Sequence, residues 1–283
     1  MTSTVLDGVF CLLLISAAVV TVTTATPREP AGEGRAADVA STLATSTATV
    51  NYTLTPRTEL TDVEEPEDDD AFGRTAHGTL AELLARAAVG ELTVGGRPLS
   101  YERAGLSRAV VRAVEAAVRT NNTRITAVWR PYPNASVTGR IAVGGRPPPD
   151  VSVHAATLTV PSGLPATRAD ARTAAATNGI PGVADAVAAG VVEGLFPPTR
   201  TRQAAGGRAS SLVRHRYRLA ERRFGADGRA TPADGDVNEA NDRLAAALSE
   251  RVARDLRGSN ASASVAAERV GVGHVRIVVR TWP

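Results

Sequence analysis

Hydrophobic and polar positions change their spacing several times along this chain, and each change marks an element. From Val9 to Val22 nearly every residue is apolar, and no charge falls in the 20 residues from Gly8 to Pro27. A helix of that length rises about 30 Å, the depth of one bilayer core, so the run predicts a single membrane-spanning helix. A cleaved secretory signal is the rival reading. It wants a positively charged start, whereas Asp7 is the only charged side chain ahead of the run, and Thr23-Thr-Ala25 is a poor cleavage site. Residues 26–44 then mix Ala, Gly, Pro and small polar residues with scattered charges and no apolar period, the composition of a flexible linker. Thr45 to Thr55 is rich in β-branched residues and suits an extended segment, a candidate first strand.

Helical spacing begins at Thr79. Thr79-Leu-Ala-Glu82 has the form of a capping box, in which Thr79 caps and Glu82 reaches back, and Leu80, Leu83, Leu84 and Ala87 follow on one face. A second helix is predicted over about 100–119, with Leu106, Val110, Val111, Val114 and Val118 on one face. The period then drops to two. Ile125, Ala127 and Trp129 alternate with Arg124, Thr126, Val128 and Arg130. Val137, Gly139, Ile141 and Val143 follow the turn at Pro131–Asn134, and Val151–Val160 follows Gly144–Pro149. Three consecutive antiparallel strands, a meander, are expected.

Helices are predicted again over 166–177 and 181–195. Residues 199–224 read as one Arg-rich helix or a pair, with Val213, Tyr217, Ala220 and Phe224 as the apolar stripe. Another helix runs from a cap at Asp236 through Leu244, Leu248, Val252 and Leu256 to Gly258. Val275, Ile277 and Val279 then alternate with Arg276, Val278 and Arg280 in a last strand that returns to the meander. The predicted fold class is α+β: an N-terminal transmembrane helix, a flexible stalk, then an antiparallel sheet of about four strands packed with helices. The expected divisions are an anchor over 1–27, a partly acidic stalk over 28–71 and an extracytoplasmic α+β domain over 72–283.

Composition narrows the picture. With 43% hydrophobic and 22% charged residues in 283, the chain is too apolar for global disorder. Aromatics are only 4%, so the core is built from Val, Leu and Ala. All 32 basic residues are Arg, which reads as a high-GC genome rather than as chemistry. A single Cys, Cys11 inside the apolar run, excludes a disulfide framework and any cysteine zinc site.

Charge is concentrated in two places. Glu59, Asp62, Glu64, Glu65, Glu67, Asp68, Asp69 and Asp70 place −8 within twelve residues, normally a solvated segment; an EF-hand calcium loop would need a Gly and a closing Glu that are missing. Arg200, Arg202, Arg208, Arg214, Arg216, Arg218, Arg222 and Arg223, less Glu221, place +7 over the Arg-rich helix. Arg214, Arg216, Arg218, Arg222 and Arg223 are its candidate electrostatic contacts, for phosphates, lipid head groups or the acidic block, though a plain solvated face explains them equally. The two blocks nearly cancel, so they are expected to attract one another, within one chain or between copies, and less so in salt.

Catalytic signals are thin. His77, His154, His215 and His274 show no close ligand spacing, although His154 and His274 both fall on predicted strands and are candidates to meet across the sheet. No nucleophile elbow and no phosphate loop is visible. No catalytic residue, cofactor or metal is assigned. Four of the eight Asn stand in glycosylation sequons, at Asn51, Asn121, Asn134 and Asn260, which favours an extracellular location.

Four stretches carry a resemblance: Ser3-Thr-Val-Leu-Asp7 before the apolar run, Arg74 through Ala85, Trp129-Arg-Pro-Tyr-Pro133, and Val153 through Gly163. Together they resemble a haloarchaeal family known only as a domain of unknown function, whose members are similar in layout to archaeal pilin-like proteins. Asp7 stands where pilins carry an early acidic residue. The basic-residue-plus-Gly processing site of pilins is absent, and a net charge of +3 departs from the usual acidity of halophiles. With the apolar run, the stalk, the sequons and the missing catalytic set, the expected protein is a non-enzymatic, membrane-anchored surface glycoprotein. Such a protein would have a structural or assembly role, single-pass in the cell membrane through residues 8–27, with other pilus-like or surface proteins as partners and no nucleic acid. The alternatives are an anchored hydrolase built on His77, His154 or His274, and a module that binds anionic polymers or lipids through the Arg-rich helix.

Overall fold

The computed structural model describes residues 33–54, 73–99, 104–118, 121–207, 210–226, 232 and 236–283. The expected anchor at 8–27 and the acidic block at 59–70 lie outside them. The described residues hold eight helices: α1 Glu33–Thr45, α2 Leu80–Gly90, α3 Ala104–Ala117, α4 Arg168–Leu195, α5 Pro198–Ala205, α6 Ser210–Phe224, α7 Val237–Gly258 and α8 Ala263–Glu268. They also hold eight strands: β1 Thr47–Thr53, β2 Gly73–Thr79, β3 Leu92–Val94, β4 Arg97–Pro98, β5 Thr123–Trp129, β6 Val137–Val143, β7 His154–Pro161 and β8 His274–Thr281. The fold is a mixed helix and sheet architecture, and every strand pairing in it is antiparallel.

Local signals are met at the helix starts. Thr79 accepts from the Glu82 amide at 3.2 Å while the Glu82 carboxylate accepts from the Thr79 amide at 2.8 Å, a complete capping box. Asp236 caps α7 by accepting from the Glu239 amide at 3.0 Å. Of the apolar face expected for α3, Leu106, Val110, Val114 and Val118 are buried and Val111 half-buried. The Arg-rich segment resolves into the pair α5 and α6.

Two expectations are corrected and one is met. Residues 33–45, expected within the stalk, form α1, with Ala36, Ala40 and Leu43 buried against the rest. Their helical spacing was hidden because alanine carries little hydrophobic signal, yet it lets a helix approach closely. The two helices expected over 166–177 and 181–195 are borne out as the two arms of α4, which breaks at Gly179 (φ 63°, ψ −143°) just ahead of Pro181, whose ring carries no amide hydrogen.

The second correction is topological. Instead of a three-strand meander joined by a returning last strand, about four in all, the main sheet has six, in the order β4-β3-β6-β5-β8-β7, and β1 and β2 form a separate hairpin. Strand β8 enters between β5 and β7, so the strand at 154–161 pairs with the C-terminal strand rather than with β6. The burial pattern agrees: Val275, Ile277 and Val279 of β8 are fully buried, whereas β7 alternates between half-buried and exposed positions, as an edge strand does.

The odd-numbered positions of β5, β6 and β8 form the inner face, covered by α1 and α2. Helix α2 lies so close that a Cβ at Gly139 would come within 2.1 Å of the Ala88 carbonyl oxygen, which is why a glycine interrupts the apolar row there. Trp129 is wholly buried and donates its indole N–H to the Val272 carbonyl at 2.7 Å, tying β5 to the turn before β8. Helices α4, α7 and α8 pack together beside this layer, with α7 held to the β5–β6 turn. There Asp255 accepts from the Tyr132 hydroxyl and the Ser136 amide, both at 2.9 Å. Burial, then the Asp255 carboxylate, pushes the Tyr132 hydroxyl well above the usual tyrosine range. Among the described residues, α4 is the one helix long and apolar enough to cross a membrane. Its packing against α7 and α8 and its break at Gly179 are those of a core helix.

Candidate functional site

Helix α6 presents its apolar stripe inward as expected, and Val213, Tyr217, Ala220 and Phe224 are all buried. Burial extends further round the helix, to Leu212, His215, Leu219 and Glu221. Tyr217 is the anchor. Its ring meets Phe196 with centroids 4.5 Å apart, and its hydroxyl donates to Asn241 Oδ1 at 2.6 Å. The Asn241 amide in turn donates to the Phe196 carbonyl at 2.8 Å, so three elements are joined by one buried chain of hydrogen bonds. Burial pushes the Tyr217 hydroxyl up to about 12, against the opposing influence of Thr201 and Arg216.

The five arginines singled out on this helix divide into two groups. Arg216 donates to the Leu195 carbonyl at 3.2 Å and lies 5.4 Å from the centre of the Phe196 ring, a cation–π contact. Arg223 donates to the Pro98 carbonyl at 2.9 Å. Both stitch α6 to its surroundings. Arg214, Arg218 and Arg222 instead recur at every fourth position along one stripe, with Arg214 and Arg222 exposed and Arg218 half-buried.

The fold gathers further arginines that the sequence keeps apart. A groove of about 590 Å³ is lined by Arg74 of β2, Arg86 of α2, Arg200 of α5 and Arg216 of α6, with apolar side chains such as Leu106 and Leu212, and among the described residues its lining holds no Asp or Glu. Arg74 and Arg86 were missed because each stands alone in its own segment, and only the tertiary fold brings β2, α2, α5 and α6 around one groove. A smaller pocket of about 290 Å³ lies between Arg202 and Arg214. Convergent guanidinium groups beside apolar side chains suit a phosphate- or carboxylate-bearing ligand.

All four sequon asparagines are exposed. Asn51 lies on β1, where its carboxamide oxygen accepts from Thr75 at 2.9 Å. Asn121 lies just ahead of β5, and its backbone carbonyl accepts from Arg35 at 2.7 Å. Asn134 and Asn260 adopt left-handed conformations, φ 60° and 53°, so turn geometry alone already favours asparagine at these two.

The histidines do not converge. His154 pairs with Thr281 and His274 with Pro161, at opposite ends of the β7–β8 ladder, seven residues or about 23 Å apart. The expectation that they meet across the sheet fails because antiparallel register sets them at the two ends. His77 lies on the hairpin, its Nδ1 2.9 Å from Thr49 Oγ1, and His215 is buried on α6. Among the described residues no three His, Cys, Asp or Glu side chains group as a metal site would require.

The chain belongs to a family of unknown function, DUF7284, whose model matches residues 6–282. No curated protein and no solved structure matches it.

Proposed function

We propose that this chain is a membrane-anchored surface protein of a haloarchaeon, pilin-like in layout and non-enzymatic, with a structural or assembly role among pilus-like or secretion components. The observation that carries the reading is the junction. An apolar run at 8–27 is followed, after only five residues, by the packed helix α1, so a bilayer holding that run would hold the folded domain close against it. Exposure of all four sequon asparagines supports placing the domain outside the cell as a glycoprotein. Two measurements test this. A version starting at Pro27 is expected in the soluble fraction, and protease added to intact cells is expected to degrade the domain. A truncated chain that still behaves as an integral membrane protein, or a domain that survives protease outside intact cells, defeats the reading.

The Arg-lined groove favours a second reading, an anion-binding module. Binding of inorganic polyphosphate that falls steeply with salt, and falls again in Arg86→Ala and Arg200→Ala, supports it; salt-independent binding or none removes it. The hydrolase alternative has no comparable support, since its three histidines lie on separate parts of the sheet and hairpin.

A further inference from the structure

The outer face of the main sheet carries a second arginine cluster, assembled from four segments. The strand register places Arg124 of β5 directly opposite Arg280 of β8, and Val128 of β5 between Arg140 of β6 and Arg276 of β8. These are the even-numbered positions, on the side away from α1 and α2. Between the two arginine rows stand Thr126, Ala142, Val278 and Thr157, a flat strip of small and β-branched residues. Arg140, Arg276 and Thr157 are exposed, and Arg124 and Arg280 half-buried. No outward position of β5 to β8 holds Asp or Glu; Asp150 lies in the loop beyond the strand ends. Arg146, in that same loop, adds a fifth charge to the group around Arg124.

Such a face is costly to keep. Like charges directly opposite on a sheet repel, and partial burial together with Arg146, Arg140 and Arg280 lowers the Arg124 pKa. Arg124 is held in place regardless, donating to the Gly144 and Gly145 carbonyls at 3.2 Å each. At the centre Thr126 is 4% exposed, and its hydroxyl has no hydrogen-bond partner.

Chain geometry sets how near this face lies to the expected anchor. Arg35, in the first turn of α1, donates to the Asn121 carbonyl at 2.7 Å, so α1 begins at the end of the sheet that carries Arg124, Arg280 and Arg146. From Pro27 to Glu33 the chain can reach no more than about 22 Å, enough to round one packed layer of about 10 Å but not to carry the domain far. We infer that the outer sheet face, led by Arg124, Arg140, Arg276 and Arg280, docks on an anionic lipid surface beside the point where the chain enters the membrane. This rests on the anchor reading above. The face carries no Phe, Tyr or Trp to stack on bases, so the phosphates of a bilayer fit it better than a single-stranded nucleic acid.

The test uses the full chain with Cys11→Ser and Thr157→Cys, the new thiol carrying a fluorophore. The chain is reconstituted into vesicles of phosphatidylcholine alone or mixed with phosphatidylglycerol, each doped with a lipid bearing a headgroup-level quencher. Quenching is expected only in the mixed vesicles at about 0.1 M salt. It should weaken at about 1 M, where the Debye length shrinks to about 3 Å and only direct guanidinium–phosphate contacts persist. The double substitution Arg140→Gln with Arg280→Gln should weaken the docking by about thirty-fold, as expected for two arginines at an anionic surface. Equal quenching in both vesicle types, or none in either, overturns the inference while leaving the anchor standing. Alkaline carbonate scores the anchor separately. If it strips the chain from neutral vesicles, the anchor reading falls, and salt-sensitive binding to phosphatidylglycerol that depends on Arg140 and Arg280 still decides the face. Binding of single-stranded DNA without any response to vesicles assigns the face to nucleic acid and also overturns the inference.

Discussion

The two arginine-rich regions of this protein use the same side chain to opposite ends. On α6 the arginines are contiguous in sequence, and the two that turn inward find carbonyls and an aromatic ring: Arg216 at Leu195 and Phe196, Arg223 at Pro98. On the outer sheet face the arginines come from separate segments and meet mainly one another, Arg280 facing Arg124 across the ladder. The difference teaches that a basic run in sequence is a poor guide to a basic site in space. A helix must bury a stripe, so its long side chains are drawn into packing and capping duties. An open sheet face has nothing above it, and charges placed there at alternate positions stay concentrated.

If that contrast is right, removing side chains from the two regions shifts stability in opposite directions. The largest effect is expected at Tyr217, which makes α6 part of the core. Tyr217→Ala removes a fully buried ring and should cost about 3–5 kcal/mol by chemical denaturation. A loss below about 1 kcal/mol would mean that α6 is a loosely held surface helix, as a solvated basic face would be.

Alkaline titration sharpens the same point. The folded-state value of about 12 for Tyr217 lies above the unfolded value of about 10, so the folded state holds this proton more tightly. Its contribution is therefore complete below pH 10 or so and is lost as pH rises through about 12. Tyr217→Phe is expected to flatten the fall in stability across that window without abolishing it, because Tyr132 is raised in the same direction. An unchanged slope in Tyr217→Phe would break the assignment of α6 to the core.

A smaller effect is expected at Arg216. Arg216→Met keeps the apolar stem but loses the carbonyl bond and the contact with Phe196, and should destabilise by about 1–2 kcal/mol. The smallest effect carries the opposite sign. Arg280→Gln removes one of two facing like charges and should stabilise the fold by about 0.2–1 kcal/mol at low salt, a gain that vanishes near 1 M. Destabilisation by Arg280→Gln of the size seen for Arg216→Met would erase the distinction between the two regions.

Much of the local structure was legible without coordinates. The capping box at Thr79, the cap at Asp236, the stripe Val213–Phe224 and the alternating strands at 123–129, 137–143 and 274–281 all follow from short-range rules. Caps, helical faces and pleats are set by residues within a few positions of one another. Helix α1 escaped because its buried side chains include two alanines, whose contribution is close approach rather than apolar area. The two extra strands, β3 and β4, are only three and two residues long, too short to show a period.

The pairing of those elements was decided by the tertiary structure alone. Alternation states which residues of a strand face inward but not which neighbour the strand chooses, so nothing in residues 274–281 announces that β8 separates β7 from the rest of the sheet. The same limit governs the candidate sites. The basic run on α6 was visible as a run, yet packing ties Arg216 and Arg223 to the fold. The arginine pair Arg124–Arg280 and the groove lined by Arg74, Arg86, Arg200 and Arg216 were invisible, because their members are brought together only by register and packing. Sequence by itself determined the longer elements with a clear period, the apolar run, the charge totals and the sequons, all of which are sums or short-range patterns. Proximity between distant residues depends on which chain closures the whole core stabilises together, and that is a property of the folded molecule.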